Sequence, residues 1–198
     1  MQQLLWDYCT PGIPDELFDR MDAVPITKEE VRTIVISKLR LKEGFSAIDI
    51  GCGSGSITVE LCLQTKSKNV FAIDFKQEAI QLTNKNLKKF GVMAKTVLAK
   101  AEDVLPTLPQ VNAIVIGGTW GNTTQILEMA IERLVKGGRI VIDTILIETM
   151  YVALGVINSA GLYDVDITQA TISKTRKVTT GTMMMARNPV TIISATRP

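Results

Sequence analysis

The feature that most constrains the fold is an alternation of short, continuous apolar runs with segments of helical period. The runs at 46–51, 69–74 and 113–117 are rich in Ile, Val and Ala and end in glycine or aspartate. Strands that are apolar on both faces are typical of a parallel sheet covered by helices on both sides. The alternation therefore predicts an α/β sandwich.

The end of the chain departs from this alternation. Residues 163–173 and 182–195 have the pattern of two long strands with no helix between them. Parallel neighbours need a long crossover, so the last strand is expected to be antiparallel. Together with the three runs above and two further strands expected at 95–99 and 139–144, this predicts a seven-stranded, mostly parallel sheet.

A chain of 198 residues suits one well-buried domain. We expect an N-terminal segment and helix at 1–40 and an α/β core at 46–195. The stretch Thr27–Glu30 has the pattern of a capping box, in which the Thr27 hydroxyl and the Glu30 carboxylate would begin that helix.

Histidine is absent, and 22 Lys+Arg nearly balance 20 Asp+Glu, for a net charge of +2. This removes the commonest general base and metal ligand, so no metal site is expected. Three cysteines without a CxxC pair fit a reducing compartment. We find no signal-peptide pattern and no apolar run of membrane-spanning length, which predicts a cytoplasmic protein without membrane contact.

The segment DIGCGSGS at 49–56 lies where the first strand turns into a helix. Glycines there allow positive φ, and the helix N-terminus favours an anionic group. Asp74 ends the next strand, 19 residues after the last glycine of the loop, where a carboxylate can bind both hydroxyls of a ribose. The alternative is a tight turn followed by a surface aspartate. The cofactor-binding candidates here are Gly51, Cys52, Gly53, Ser54, Gly55 and Asp74.

The glycine spacing is GxGxG, and Ser56 stands where the dinucleotide pattern has its third glycine. The strings DIGCGSG and VFAID resemble the first two motifs of the class I S-adenosylmethionine-dependent methyltransferases. The resemblance implies a Rossmann-like methyltransferase sandwich, with S-adenosyl-L-methionine as cofactor and S-adenosyl-L-homocysteine as its product. It also implies that Glu102 or Asp103 receives the adenine amino group. Glu102 is the favoured candidate, and a helix N-cap is the alternative for both.

Four further segments are similar to one branch of these enzymes: GIPDELF, PITKEEVR, IVIGGTWG with ILIET, and GTMMMARNPV. With DIGCGSG they resemble the decarboxylating cobalt-precorrin-6B (carbon-15) methyltransferases of anaerobic cobalamin biosynthesis. The resemblance implies methylation of carbon 15 and removal of carbon dioxide from the carbon-12 acetate, giving cobalt-precorrin-7. It also implies a homotetramer and cofactor contacts at Thr27 and Ala101.

A corrinoid precursor carries many carboxylates, so its site should be basic. After Asp166 the chain has five basic residues and no acidic one. This basic end is either part of the substrate site or a solvated edge, and nucleic acid is an unlikely partner for it. Trp120 either lines a flat macrocycle or fills the mouth of the site. The substrate-binding candidates are Gly118, Thr119, Trp120, Lys174, Arg176 and Arg187.

Methyl transfer from a sulfonium to a ring carbon needs alignment and desolvation more than a strong base. Glu148 is the candidate proton donor after loss of carbon dioxide, and a buried or helix-capping carboxylate is the alternative. Met183–Met185 is expected to pack in the core or in a subunit contact. Two other functions stay open: a tRNA methyltransferase, and a non-catalytic cofactor-binding protein of the same fold.

Overall fold

The computed structural model describes residues 5–198, so the first four residues of the segment assigned to 1–40 lie outside it. Within the described part, the strands are β1 Ala47–Ile50, β2 Val70–Asp74, β3 Lys95–Leu98, β4 Val111–Ile116, β5 Leu134–Thr144, β6 Tyr163–Ala170, β7 Ser173–Val178, β8 Gly181–Ala186 and β9 Val190–Thr196. The helices are α1 Glu29–Lys38, α2 Ser56–Thr65, α3 Gln77–Phe90, α4 Ala101–Val104, α5 Thr123–Glu132 and α6 Ile147–Ser159. Two short 3-10 helices lie at Asp15–Leu17 and Leu105–Thr107. Across residues 5–198, no helix has the length and apolar character needed to cross a bilayer.

Seven strands form one sheet in the order β3-β2-β1-β4-β5-β9-β6. Strands β1 to β5 pair in parallel, whereas β9 lies antiparallel between β5 and β6. The predicted seven-stranded, mostly parallel sheet with an antiparallel last strand is confirmed. The strand order reverses between β1 and β4, which opens a crevice at their carboxyl ends.

The sheet is buried on both faces, as the apolar runs predict. Successive residues of β4 point to opposite sides: Ile114 packs in the layer beneath α5 and α6, and Val115 packs in the layer beneath α1, α2 and α3. Every residue of β1 and β2 is buried. The two layers hold the carboxyl ends of the central strands rigidly in place.

The prediction of two long C-terminal strands is wrong, because four shorter strands, β6 to β9, occupy this part of the chain. Strands β7 and β8 form a separate two-stranded antiparallel ribbon, here called the ribbon. Its first strand reads SKTRKV, and charged side chains on both faces cannot be buried between helix layers. Met183, Met184 and Met185 lie in β8 and are 47%, 61% and 39% exposed, so the expected core packing is also wrong.

The predicted capping box is wrong as well. Helix α1 begins at Glu29 with no side-chain cap from Lys28. The Glu29 N–H donates instead to Asp15 Oδ1 at 3.0 Å, and the Glu30 carboxylate pairs with Lys174 and Arg187. A carboxylate from the preceding 3-10 helix satisfies the helix N-terminus, which leaves Glu30 for distant cations.

Candidate active-site cleft

Two connected cavities occupy the crevice at the carboxyl ends of β1, β2, β4 and β5. The smaller has a volume of about 280 Å³ and the larger about 590 Å³. Their shared walls are Gly51, Asp74, Gly118, Thr119 and Trp120. The cleft therefore joins the glycine loop, the predicted ribose carboxylate and three of the predicted substrate residues.

The glycine loop needs its glycines for two separate reasons. Gly51, Gly53 and Gly55 have φ of 74°, 54° and 76°, which side chains rarely adopt. A Cβ on Gly53 would also lie 3.0 Å from the carbonyl oxygen of Pro25, and one on Gly55 would lie 2.9 Å from Thr83. The loop is thus compressed between α3 and the N-terminal segment, and Gly51 and Gly53 line the larger cavity.

The other loop residues differ in their access to the cleft. Cys52 is buried and lines the larger cavity, together with Thr27. Ser54 is buried against a separate surface hollow beside Pro25. The structure therefore brings Cys52 and Thr27 to the cleft and leaves Ser54 and Gly55 outside its two cavities.

Asp74 is 9% exposed and lies between the loop and both cavities. Its Oδ2 accepts a hydrogen bond from the Gly53 N–H at 3.0 Å, and its Oδ1 accepts one from the Lys76 N–H at 3.0 Å. Each carboxylate oxygen can accept a second hydrogen bond. The carboxylate is therefore held in one orientation with capacity left for a vicinal diol.

The smaller cavity has an apolar interior and a polar edge. Ile50, Ala101 and Ile126 line its interior. At its edge, Asn122 Nδ2 donates to Glu102 Oε1 at 2.7 Å. Asp103 is exposed and lines neither cavity. Of the two predicted candidates, Glu102 therefore reaches the smaller cavity and Asp103 does not.

An aromatic and cationic cluster lies where the two cavities meet. The ring centroids of Phe75 and Trp120 are 5.2 Å apart in an edge-to-face arrangement, and Lys76 Nζ lies 4.4 Å from the Trp120 ring centroid. Trp120 is 72% exposed at this junction. Its ring therefore stands at the mouth of the cleft, where it can contact molecules in either cavity.

A buried and a half-buried carboxyl group lie at the base of the cleft, Asp49 and Asp143. Asp49 is 1% exposed and accepts a 2.5 Å hydrogen bond from the Thr58 hydroxyl. Burial raises the pKa of Asp49 to about 7; the Thr58 hydrogen bond opposes this, and the charges of Asp143 and Asp74 add to it. Asp143 lines the larger cavity, and burial raises its pKa to about 6.

The predicted basic substrate residues lie on or beside the ribbon. Lys174 Nζ pairs with Glu29 at 3.1 Å and also with Glu30, and Arg187 pairs with Glu30 at 3.1 Å. Arg176 is exposed, and its Nη1 lies 3.4 Å from Met185 Sδ. None of these three side chains lines the two cavities.

The sequence-based reasoning missed several residues of the larger cavity. Lys28 and Lys76 place positive charge on its wall, and Asp143 is a carboxyl group there. Glu148, the predicted proton donor, is exposed and outside the lining, although Thr149 belongs to it. The signal for Asp143 was its place at the end of an apolar strand in a parallel sheet, where functional residues collect.

A protein-family model described as the precorrin methyltransferase domain matches residues 17–197. The chain belongs to the precorrin methyltransferase family. A relative from Saccharolobus solfataricus, named probable cobalt-precorrin-6B C(15)-methyltransferase (decarboxylating), is 46% identical over 98% of this chain and 99% of that protein. This assignment confirms the resemblance found in the sequence.

Two solved structures of precorrin enzymes share the fold over nearly their full length. A precorrin-8w decarboxylase from Methanobacterium thermoautotrophicum has a TM-score of 0.87 and 35% identity, over 92% of this chain and 98% of that one. A precorrin-6y C5,15-methyltransferase from Geobacter metallireducens has a TM-score of 0.88 and 30% identity, over 97% and 100%. The class I methyltransferase fold predicted for this family member is confirmed.

Proposed function

We propose that the chain is an S-adenosylmethionine-dependent C-methyltransferase of cobalamin biosynthesis. It methylates carbon 15 of cobalt-precorrin-6B and removes carbon dioxide from the carbon-12 acetate, giving cobalt-precorrin-7. The observation that carries this proposal is the full-length similarity to a relative named for that reaction. The cleft supports it because it combines a nucleoside-sized apolar cavity with a larger, cation-lined one.

The residues present fit S-adenosylmethionine. Asp74 would hold the ribose hydroxyls, the smaller cavity would hold the adenine, and Glu102 would receive its amino group. The glycine loop and Thr27 would border the methionyl part, which leads toward the larger cavity. When bound there, the cofactor supplies a methyl group already activated by its sulfonium.

The chain's own part in the reaction is positioning and the exclusion of water. Ile145 and Leu146 line the larger cavity and are exposed, so they offer an apolar surface to a macrocycle. Lys28 and Lys76 would pair with its carboxylates. Lys174, Arg176 and Arg187 stay proposed contacts for outlying carboxylates. Glu29 and Glu30 already neutralise Lys174 and Arg187. We therefore expect Lys28 and Lys76 on the cavity wall to contribute more to binding of the substrate carboxylates.

We also propose that the chain forms a homotetramer in which the ribbon contacts another subunit. Three consecutive exposed methionines and Val178, which is 42% exposed, place apolar surface on a ribbon separate from the main sheet. Adaptable Met-rich surfaces are suited to association. We propose that a second copy of the chain, as the family resemblance implies, contacts this surface of the ribbon.

The decisive experiment is to incubate the protein with methyl-labelled cofactor and cobalt-precorrin-6B and to determine the mass of the product by mass spectrometry. Gain of one methyl group with loss of carbon dioxide supports the proposal. Label that appears only in tRNA would support a tRNA methyltransferase. Cofactor binding without any transfer would support a non-catalytic protein of the same fold.

A further inference from the structure

Asp143 is a carboxyl group in the larger cavity to which the sequence patterns assign no role. It is the second-last residue of β5 and pairs with Ile192 of β9, so its backbone is fixed in the centre of the sheet. A Cβ built on Gly117 would lie 3.8 Å from Asp143 Oδ1. The carboxyl group therefore borders the wall of the cleft that the backbone after β4 forms.

The surroundings of this carboxyl group favour its neutral form. Within residues 5–198, Asp143 Oδ1 is shielded from solvent and has no hydrogen-bond partner. An ionised oxygen without solvent or donors is strongly disfavoured, whereas a carboxylic acid loses much less on burial. The direction of its pKa shift, upward through burial, agrees with this geometry.

The other carboxyl groups near the cleft are less suited to deliver a proton. Both oxygens of Asp74 already accept backbone N–H bonds, and this carboxylate is proposed to hold the ribose. Asp49 is buried beneath the loop and does not line either cavity. Glu148 is exposed and outside the lining. Asp143 alone among these four combines access to the larger cavity with an unpartnered oxygen.

We propose that Asp143 is the acid that protonates the substrate carbon from which carbon dioxide leaves. This inference rests on the proposed function. The bond between the side-chain methylene and its carboxylate breaks, carbon dioxide departs, and the electron pair stays on the methylene in conjugation with the macrocycle. In the same step the Asp143 O–H donates its proton to that carbon, which becomes a methyl group, so loss of this acid slows the release of carbon dioxide. The Asp143 carboxylate regains a proton from water before the next turnover.

The test compares wild-type protein with Asp143→Asn, which keeps the shape of the side chain but cannot donate an acidic proton. Release of carbon dioxide and uptake of labelled methyl are measured separately with cobalt-precorrin-6B. We expect carbon dioxide release to fall about 10²-fold in Asp143→Asn. The dissociation constant for S-adenosylmethionine, measured by calorimetry, should stay within about threefold of wild type, because Asp143 is not assigned to the cofactor. Asp143→Glu, which retains an acid, should recover part of the lost release.

Glu128→Gln is the matched control, since it removes an exposed carboxylate that lines neither cavity of the cleft and should leave both rates unchanged. Carbon dioxide release by Asp143→Asn within twofold of wild type would overturn the role of Asp143. Loss of cofactor binding in Asp143→Asn would overturn it too, because the residue would then be structural. Wild-type protein that binds cofactor but forms no methylated corrinoid would instead refute the proposed function, and this inference with it.

Discussion

Gly53 donates its backbone N–H to Asp74 at 3.0 Å, so the loop after β1 and the end of β2 hold each other in position. The two segments lie 21 residues apart in the chain. The same carboxylate therefore shapes the loop and remains available to a ligand on its cleft side. This coupling makes Asp74 the most direct test of the proposed cofactor site.

Asp74→Ala should weaken binding of S-adenosylmethionine by at least about 30-fold, because it removes a charged acceptor and frees the Gly53 N–H. Isothermal titration calorimetry measures the effect. Asp103→Asn, at an exposed position outside the cleft, is the control and should bind as wild type does. Equal binding by Asp74→Ala and wild type would contradict the assignment of the ribose site.

Gly55→Ala and Gly137→Ala form a matched pair, because their φ values are 76° and 74°. A Cβ on Gly137 meets nothing within 4 Å, whereas one on Gly55 would lie 2.9 Å from the Thr83 backbone. We expect about 1 kcal/mol of destabilisation at Gly137 from strain alone, and about 2–4 kcal/mol at Gly55 from strain and overpacking. Urea unfolding measures both, and equal losses would show that the contact with α3 is unimportant.

Arg32 is fully buried and holds the N-terminal segment against the core. Its guanidinium donates to Glu60 Oε1 at 2.7 Å, to Asp15 Oδ1 at 3.3 Å and to the carbonyl oxygens of Ile13 and Thr27. Arg32→Ala should lower the free energy of unfolding by about 3–5 kcal/mol, because it leaves buried carboxylates unpaired.

Arg40→Ala is the control for this substitution, since the pair of Arg40 with Asp164 is exposed to solvent and should contribute much less to stability. Both variants are measured by urea unfolding at one pH. A loss for Arg32→Ala no larger than that for Arg40→Ala would mean that the buried cluster contributes little to stability.

The raised pKa of Asp49 predicts that stability falls as pH rises. The folded protein binds a proton at Asp49 up to about pH 7, whereas the unfolded chain releases it near 3.8. The contribution of protonated Asp49 to the free energy of unfolding is therefore complete below about pH 4 and is lost as pH rises through 7. Asp49→Asn cannot ionise and retains an acceptor for Thr58. Its free energy of unfolding relative to wild type should therefore increase by more than about 1 kcal/mol between pH 5 and pH 8.

Thermal unfolding of Asp49→Asn and wild type at pH 5 and pH 8 measures this difference. The exposed Asp103→Asn is the control, and its difference from wild type should be the same at both pH values. If the gain of Asp49→Asn over wild type did not grow with pH, the carboxyl of Asp49 would not be the group that titrates.

Met184→Asp tests the proposed contact between subunits at the ribbon. A charge in an apolar interface is strongly disfavoured, so the variant should dissociate while keeping its far-ultraviolet circular dichroism spectrum. Light scattering coupled to size exclusion measures the mass. Met93→Asp, at a position 58% exposed and remote from the ribbon in sequence, is the control and should retain the wild-type mass. A monomeric wild-type protein would contradict the proposal.

Most strands and helices were predictable because their patterns are local. Each of the three apolar runs ends in a glycine or an aspartate, and helix α3 stops at Gly91 with φ of 68°, a conformation that glycine adopts without strain. The C-terminal strands were not predictable in this way. The polar strand β7 and the exposed strand β8 pair with each other as a ribbon, and this pairing needs no apolar core. The capping box failed for a related reason: a carboxylate from outside the local pattern, Asp15, reaches the helix first.

By itself the sequence determined the α/β class, the glycine loop and the carboxylate of Asp74, since these depend on residues within one strand–loop–helix unit. Only the tertiary structure decided that Asp143 enters the cleft and that Lys174 pairs with Glu29 across 145 positions of the chain. The physical reason is the strand order. It places β5 beside β4 and positions the ribbon next to α1. A local pattern of apolar and charged residues does not determine which distant segments become neighbours in a sheet.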